Sequence, residues 1–127
     1  MGLFNVFSNN EEAKNLSHIK NLIQVAYSDG DLDESELKLI ISIANKIDIP
    51  KEKVLSMIED LENIKFTPPS SYEAKVELMA DLVKVLLADK KISEDEIKFC
   101  KEIANRLKLN AAVVDDLINS LIKSNFA

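Results

Sequence analysis

Apolar residues recur every three or four positions in six separate stretches of this chain, the period of a helix with one buried face. Leu16, Ile19, Leu22, Ile23 and Ala26 form the first stripe, which breaks at Asp29-Gly30. Leu37, Ile40, Ile41, Ala44 and Ile47 form the second, and Val54, Leu55, Ile58 and Leu61 the third. Pro50 suits the first turn of that third helix, where its missing N–H costs nothing. In "TPPSSYE", Pro68 and Pro69 end any helix, and Ser70 with Glu73 gives an S-x-x-E start signal. Val76, Met79, Ala80, Val83 and Leu87 carry the fourth stripe, and Ile97, Cys100, Ile103, Ala104 and Leu107 the fifth. Asn110 is placed to cap the sixth, whose inward positions are Val113, Val114, Leu117, Ile118 and Leu121.

The six stretches fall into two sets of three. Displacing the chain by sixty residues aligns 16–63 with 76–123 without a gap, so that "VAYSDGDLDESELKLIISIAN" lies on "VLLADKKISEDEIKFCKEIAN". Shared helical patterning alone would match apolar positions. It would not bring Asp29 onto Asp89, Glu36 onto Glu96, or Asn45 onto Asn105. The expected architecture is all-α, one six-helix domain over 1–127. It comprises two tandem three-helix repeats, approximate internal two-fold symmetry and an N-terminal tail at residues 1–10. Phe4 and Phe7 in that tail are expected to pack on the domain or fray.

Composition sharpens this picture. The 127 residues include only two glycines and three prolines, which favours helices over sheet. A net charge of −6 and no basic stripe weigh against nucleic acid, because phosphate contacts need clustered Lys and Arg. The single cysteine cannot form an internal disulfide, which fits a reducing compartment. No apolar run reaches the length of a membrane span, and the first residues lack the basic start of a secretory signal and the Ser or Thr of a myristoylation pattern. The cytoplasm is the expected location.

The chemistry concentrates in "AYSDGDLDESEL", residues 26–37. A calcium loop needs ligands at alternate positions, a central glycine and a final bidentate glutamate. Started at Asp29, that frame puts Glu34 at the glycine and Ile40 at the glutamate. Registered on Gly30 it places Asp33 and Glu36 correctly, yet Val25 and Tyr27 fall where carboxylates belong. Half a calcium loop is present. Helix capping accounts for more: Asp33 with Glu36, and Ser93 with Glu96, are D-x-x-E and S-x-x-E boxes at the second and fifth helix starts. Glu34, Glu94 and Asp95 add charge that the helix dipole favours, and Gly30 suits the end of the first helix. Asp29 and Asp89 stand where a carboxylate meets the wrong end of a dipole. Each either closes an Asx-type turn or points, with Glu36 or Glu96, toward a cation.

These loops resemble the signature of the tellurite-resistance TerB family and the related central domain of DjlA-type membrane co-chaperones. The pattern is an alanine-rich helix end, D-G, a variable residue, an aliphatic, Asp or Ser, two residues, then Glu. The likeness runs over about residues 14–124. It implies a monomeric all-helical cytoplasmic module with an acidic cluster that binds a divalent cation such as calcium, magnesium, manganese or zinc. It also implies protein partners at the inner face of the membrane in a metal or stress response. By matching position the implied metal residues are Asp29, Asp33, Glu36, Asp89 and Glu96, with Gly30 and Ser93 completing the motifs, and Asp31 in the same acidic loop is a further candidate. Lys90 and Lys91 replace Gly30 and Asp31 in the second unit, and two ammonium groups there oppose a cation. No J-domain and no membrane helix accompany the motif, so a co-chaperone role lacks support.

Other residues read as structural. His18 is the only histidine and is expected to serve at the surface or in packing. Without a second His or a Cys nearby it does not suggest a zinc site. Cys100 falls on an inward stripe as an inert thiol, and Met57 and Met79 read as core filler. There is no glycine-rich phosphate loop and no D-S-L attachment motif of the kind acyl carrier proteins use. The expected function is non-enzymatic: an interaction module with weak cation binding. The alternatives are a metal-free adaptor and a metal-dependent enzyme.

Overall fold

The computed structural model describes residues 2–28, 32–63, 66–88 and 93–126, and side-chain packing for these from Glu11 to Lys123. Among the described residues there are six α-helices and no strand. They are α1 (Gly2–Ser28), α2 (Glu34–Lys46), α3 (Lys51–Glu59), α4 (Tyr72–Leu86), α5 (Glu94–Arg106) and α6 (Ala112–Phe126), with one 3₁₀ turn at Leu61–Asn63. The helix α1 starts earlier than its apolar stripe. Residues 2–10, expected as a tail, continue it, since no proline or glycine interrupts the chain between Leu3 and Ser28. The side chains of Phe4 and Phe7 lie outside the described residues.

The core is one apolar cluster centred on α4, which packs against α1, α2, α5 and α6. That central position explains why α4 is buried over a wider arc than its predicted stripe. Leu78, Leu82, Val85 and Leu86 join Met79 and Val83 inside, while Val76 and Leu87 stay half-buried at the margin. From α1 the core takes Ile19, Leu22, Ile23, Val25 and Ala26, and from α5 Cys100, Ile103 and Ala104. The short α3 turns Val54 and Met57 inward, so Met57 and not Leu55 fills the core, and Leu55 is left exposed. Each fully buried Leu or Ile contributes on the order of 1.5–3 kcal/mol over leaving it in water.

Local features recur at the sixty-residue displacement. The bounds of α2 and α5 are offset by that amount, as are the buried pairs Leu22 and Leu82, Ala44 and Ala104, Ile49 and Leu109, and Val54 and Val114. Both helices end in the same reversal. Asp48 at φ 64° and Lys108 at φ 61° take the left-handed conformation usually left to glycine. The next N–H groups, of Ile49 and Leu109, donate to Ala44 O at 2.9 Å and Ala104 O at 2.8 Å. This closing bond turns Ile49 and Leu109 back into the core.

The starts of α4 and α6 are capped by side chains. Ser71, not Ser70, caps α4: its Oγ accepts the Ala74 N–H at 3.1 Å. Two adjacent serines offer competing registers, and the structure uses the one without a glutamate three residues on. Asn110 Oδ1 accepts from Ala112 N at 3.0 Å, as its position before the sixth stripe predicts.

Candidate functional site

The two acidic helix starts are built alike. At α2 the Asp33 backbone is extended and its Oδ1 accepts the Glu36 N–H at 2.8 Å, while Glu36 Oε1 accepts the Asp33 N–H at 3.3 Å. Ser35 Oγ donates to the same Asp33 oxygen at 2.8 Å. At α5, Ser93 Oγ accepts from Glu96 N and Glu96 Oε1 accepts from Ser93 N, both at 3.1 Å. Each box therefore satisfies two backbone donors that the first helical turn would otherwise leave without a partner.

Electrostatics separates the carboxylates of the first box. The Glu36 N–H and the Ser35 hydroxyl hold the exposed Asp33 carboxyl below its ordinary value. Glu36 is partly buried, and desolvation first of all pushes its carboxyl up, to about 7. The bond from the Asp33 N–H opposes that rise, and the negative charges of Asp33 and Glu96 add to it. Glu96 belongs to the other box, so the two helix starts lie within electrostatic reach of each other.

The residues expected to hold a cation divide accordingly. Asp33, Glu36 and Glu96 are described; Asp29, Gly30, Asp31, Asp89, Lys90 and Lys91 lie outside the described residues. In each of the three described carboxylates one oxygen is engaged by its capping box. Among the described residues no group of three or more His, Cys, Asp or Glu side chains is arranged to hold a metal ion. By themselves these three do not form a metal centre, since a hard cation such as calcium needs six or more oxygens around it.

A second polar feature lies between α1 and α4. His18 Nε2 and Asp81 Oδ2 are 2.6 Å apart, with about a fifth of each side chain exposed, and Lys84 Nζ approaches the other Asp81 oxygen at 3.8 Å. One helical turn away, Asn21 is buried and clamps the linker. Its Nδ2 donates to Thr67 O at 2.7 Å and its Oδ1 accepts from Thr67 N at 3.0 Å. These residues line a half-open cavity of about 680 Å³ walled by Pro68 and Pro69. His18 thus ties two helices together, where the sequence suggested only surface or packing. The available signal was register: Asn21 and Asp81 are sixty residues apart, polar at the same place in both apolar stripes.

The fold and its two like-built boxes define an acidic, all-helical module. The family model described as tellurite resistance protein TerB matches residues 5–58, so that stretch of the chain is similar to the TerB family. The match spans most of α1, all of α2 and all but the last residue of α3, including the first acidic loop; the resemblance read from the motifs extends through the second half as well. Neither the curated proteins nor the solved structures give a match. No described helix is long and apolar enough to cross a membrane.

Proposed function

We propose that this protein is a non-enzymatic, monomeric TerB-type interaction module that works in the cytoplasm in a metal or stress response. Its first acidic loop binds a divalent cation weakly, and the second, related to it by an approximate internal two-fold, contributes less. The cation reading is supported by the electrostatics of the first box, where the negative charges of Asp33 and Glu96 both help to hold the partly buried Glu36 carboxyl up. A cation relieves that repulsion, and Asp29, Asp31 and Asp89 are the further candidate ligands that the sequence offers beside these boxes. The family match over residues 5–58 supports the module reading, and the recurrence of Asp48 and Lys108 at one register supports the two-fold.

The test is thermal unfolding of chelator-treated protein with and without millimolar calcium, magnesium, manganese or zinc. Ligand at about a hundred times its dissociation constant adds roughly 2.7 kcal/mol, a rise of several degrees in a domain of this size. Glu36→Gln keeps an acceptor for the capping box while removing the charge, so it should abolish the rise without unfolding α2. Glu96→Gln should reduce the rise less, because Lys90 and Lys91 already weaken the second loop. A melting temperature that no ion moves would eliminate the cation and leave the metal-free adaptor.

A further inference from the structure

We propose that the groove between α4 and α6 docks a basic amphipathic helix of a partner protein. This rests on the interaction-module reading and gives that module a surface and a partner chemistry. Tyr72 and Val76 of α4 and Val113 and Leu117 of α6 line a shallow cavity of about 510 Å³. Each pair is spaced by four residues, so each helix presents two apolar groups one turn apart. Val76 and Leu117 are half-buried against the core, whereas the Tyr72 ring is 65% exposed. An amphipathic helix recognises such a surface with anchors at i, i+3 or i+4, and i+7.

Charge decides the occupant. Glu73 and Glu77 on α4 and Asp116 on α6 stand at the rim, all exposed, and no Lys or Arg is among the groove's described lining. Among the described residues none of these three forms an ion pair, whereas neighbouring Asp115 is bridged to Lys101 at 3.3 Å. The N-termini of α4 and α6 offset the rim with about half a positive charge each, against three full negative charges. The balance remains acidic. It repels anionic lipid and nucleic acid, and it repels a second copy bearing the same rim. It attracts a helix whose apolar stripe is flanked by Lys or Arg.

The isotope-labelled full chain would be titrated with a helical peptide of leucine and lysine, about 18 residues or five turns long, followed by amide NMR at low salt. The expected result is saturable shifts at Tyr72, Val76, Val113 and Leu117. Glu73→Lys with Asp116→Lys should weaken the affinity by about tenfold or more, as should added salt, and Tyr72→Ser should weaken it several-fold. A peptide of the same composition in scrambled order, or with glutamate for lysine, should bind far more weakly. Shifts that map elsewhere, affinity unchanged by the charge reversals, a dimer formed through Tyr72, or no saturable shift would each overturn the groove. Cross-linking in the host cells separates this from failure of the module reading. Partners captured alike by the wild type and the double reversal mean another docking face; no partners for either chain mean that the module reading itself fails.

Discussion

His18 Nε2 on α1 meets Asp81 Oδ2 on α4 at 2.6 Å, joining the first helix of one half to the first helix of the other. About four-fifths of each side chain is shielded, so this contact is worth more than an exposed pair and less than a fully desolvated one. A double-mutant cycle of His18→Ala and Asp81→Ala in urea unfolding should return a coupling of about 1 kcal/mol. Asp81→Ala should be the costlier single change, because Asp81 also receives Lys84. Additive single effects would show that the two helices hold together without the pair.

Glu36 predicts how stability follows pH. Its carboxyl is raised from 4.5 to about 7 in the fold, so between those values the folded chain binds more protons than the unfolded chain. Stability from this group is therefore present below pH 4.5 and lost as pH rises through 7. Partial exposure screens the effect to about 1 kcal/mol. Asp33 has the opposite sign, since its lowered carboxyl contributes above its ordinary value and that contribution is lost only in stronger acid. Chelator-treated wild type should melt higher at pH 5 than at pH 8, and Glu36→Gln should flatten that difference. A wild-type profile that rises from pH 5 to pH 8 would contradict the assignment.

Much of the fold was legible because helices announce themselves by period. The α2 and α5 stripes, the two boxes and the Asn110 cap follow from side-chain type and spacing within a single turn. Relations between distant residues were not legible in the same way. His18 and Asp81 are 63 positions apart, and no local pattern pairs a lone histidine with one particular aspartate. The electrostatic reach of Glu96 to Glu36 depends on how the halves pack, which periodicity does not encode. The choice of Ser71 over Ser70 escaped because the box signal favours the serine with Glu73 three residues on. Met57 lies in the core as expected, but the exposure of Leu55 escaped because a helix of nine residues gives too few turns to fix its inward face.

The capping boxes should be close to interchangeable in energy. Asp33→Ala and Ser93→Ala each remove the oxygen that accepts the third helical N–H, at about 1 kcal/mol apiece. Asp33→Ser reproduces the α5 cap at α2 and should cost only a few tenths of that. Chemical denaturation of the three variants reads this directly. A loss from Asp33→Ser as large as from Asp33→Ala would mean that the carboxylate serves something besides the helix.

The ends of α2 and α5 make the most direct test of the backbone. Lys108 holds φ 61° with a Cβ that the left-handed region crowds, a strain of about 1–2 kcal/mol for an ordinary residue. Glycine removes the crowding but adds about 0.5–1 kcal/mol of freedom to the unfolded chain. Lys108→Gly should therefore stabilise by about 0.5–1 kcal/mol, measured as a higher urea midpoint at unchanged slope. Asp48→Gly at φ 64° should gain less, because aspartate tolerates this conformation better than lysine. The order of the two gains matters more than their size. If Asp48→Gly gained more, the two reversals would differ in solution despite the shared register, and the likeness of α2 and α5 would stop short of the helix ends.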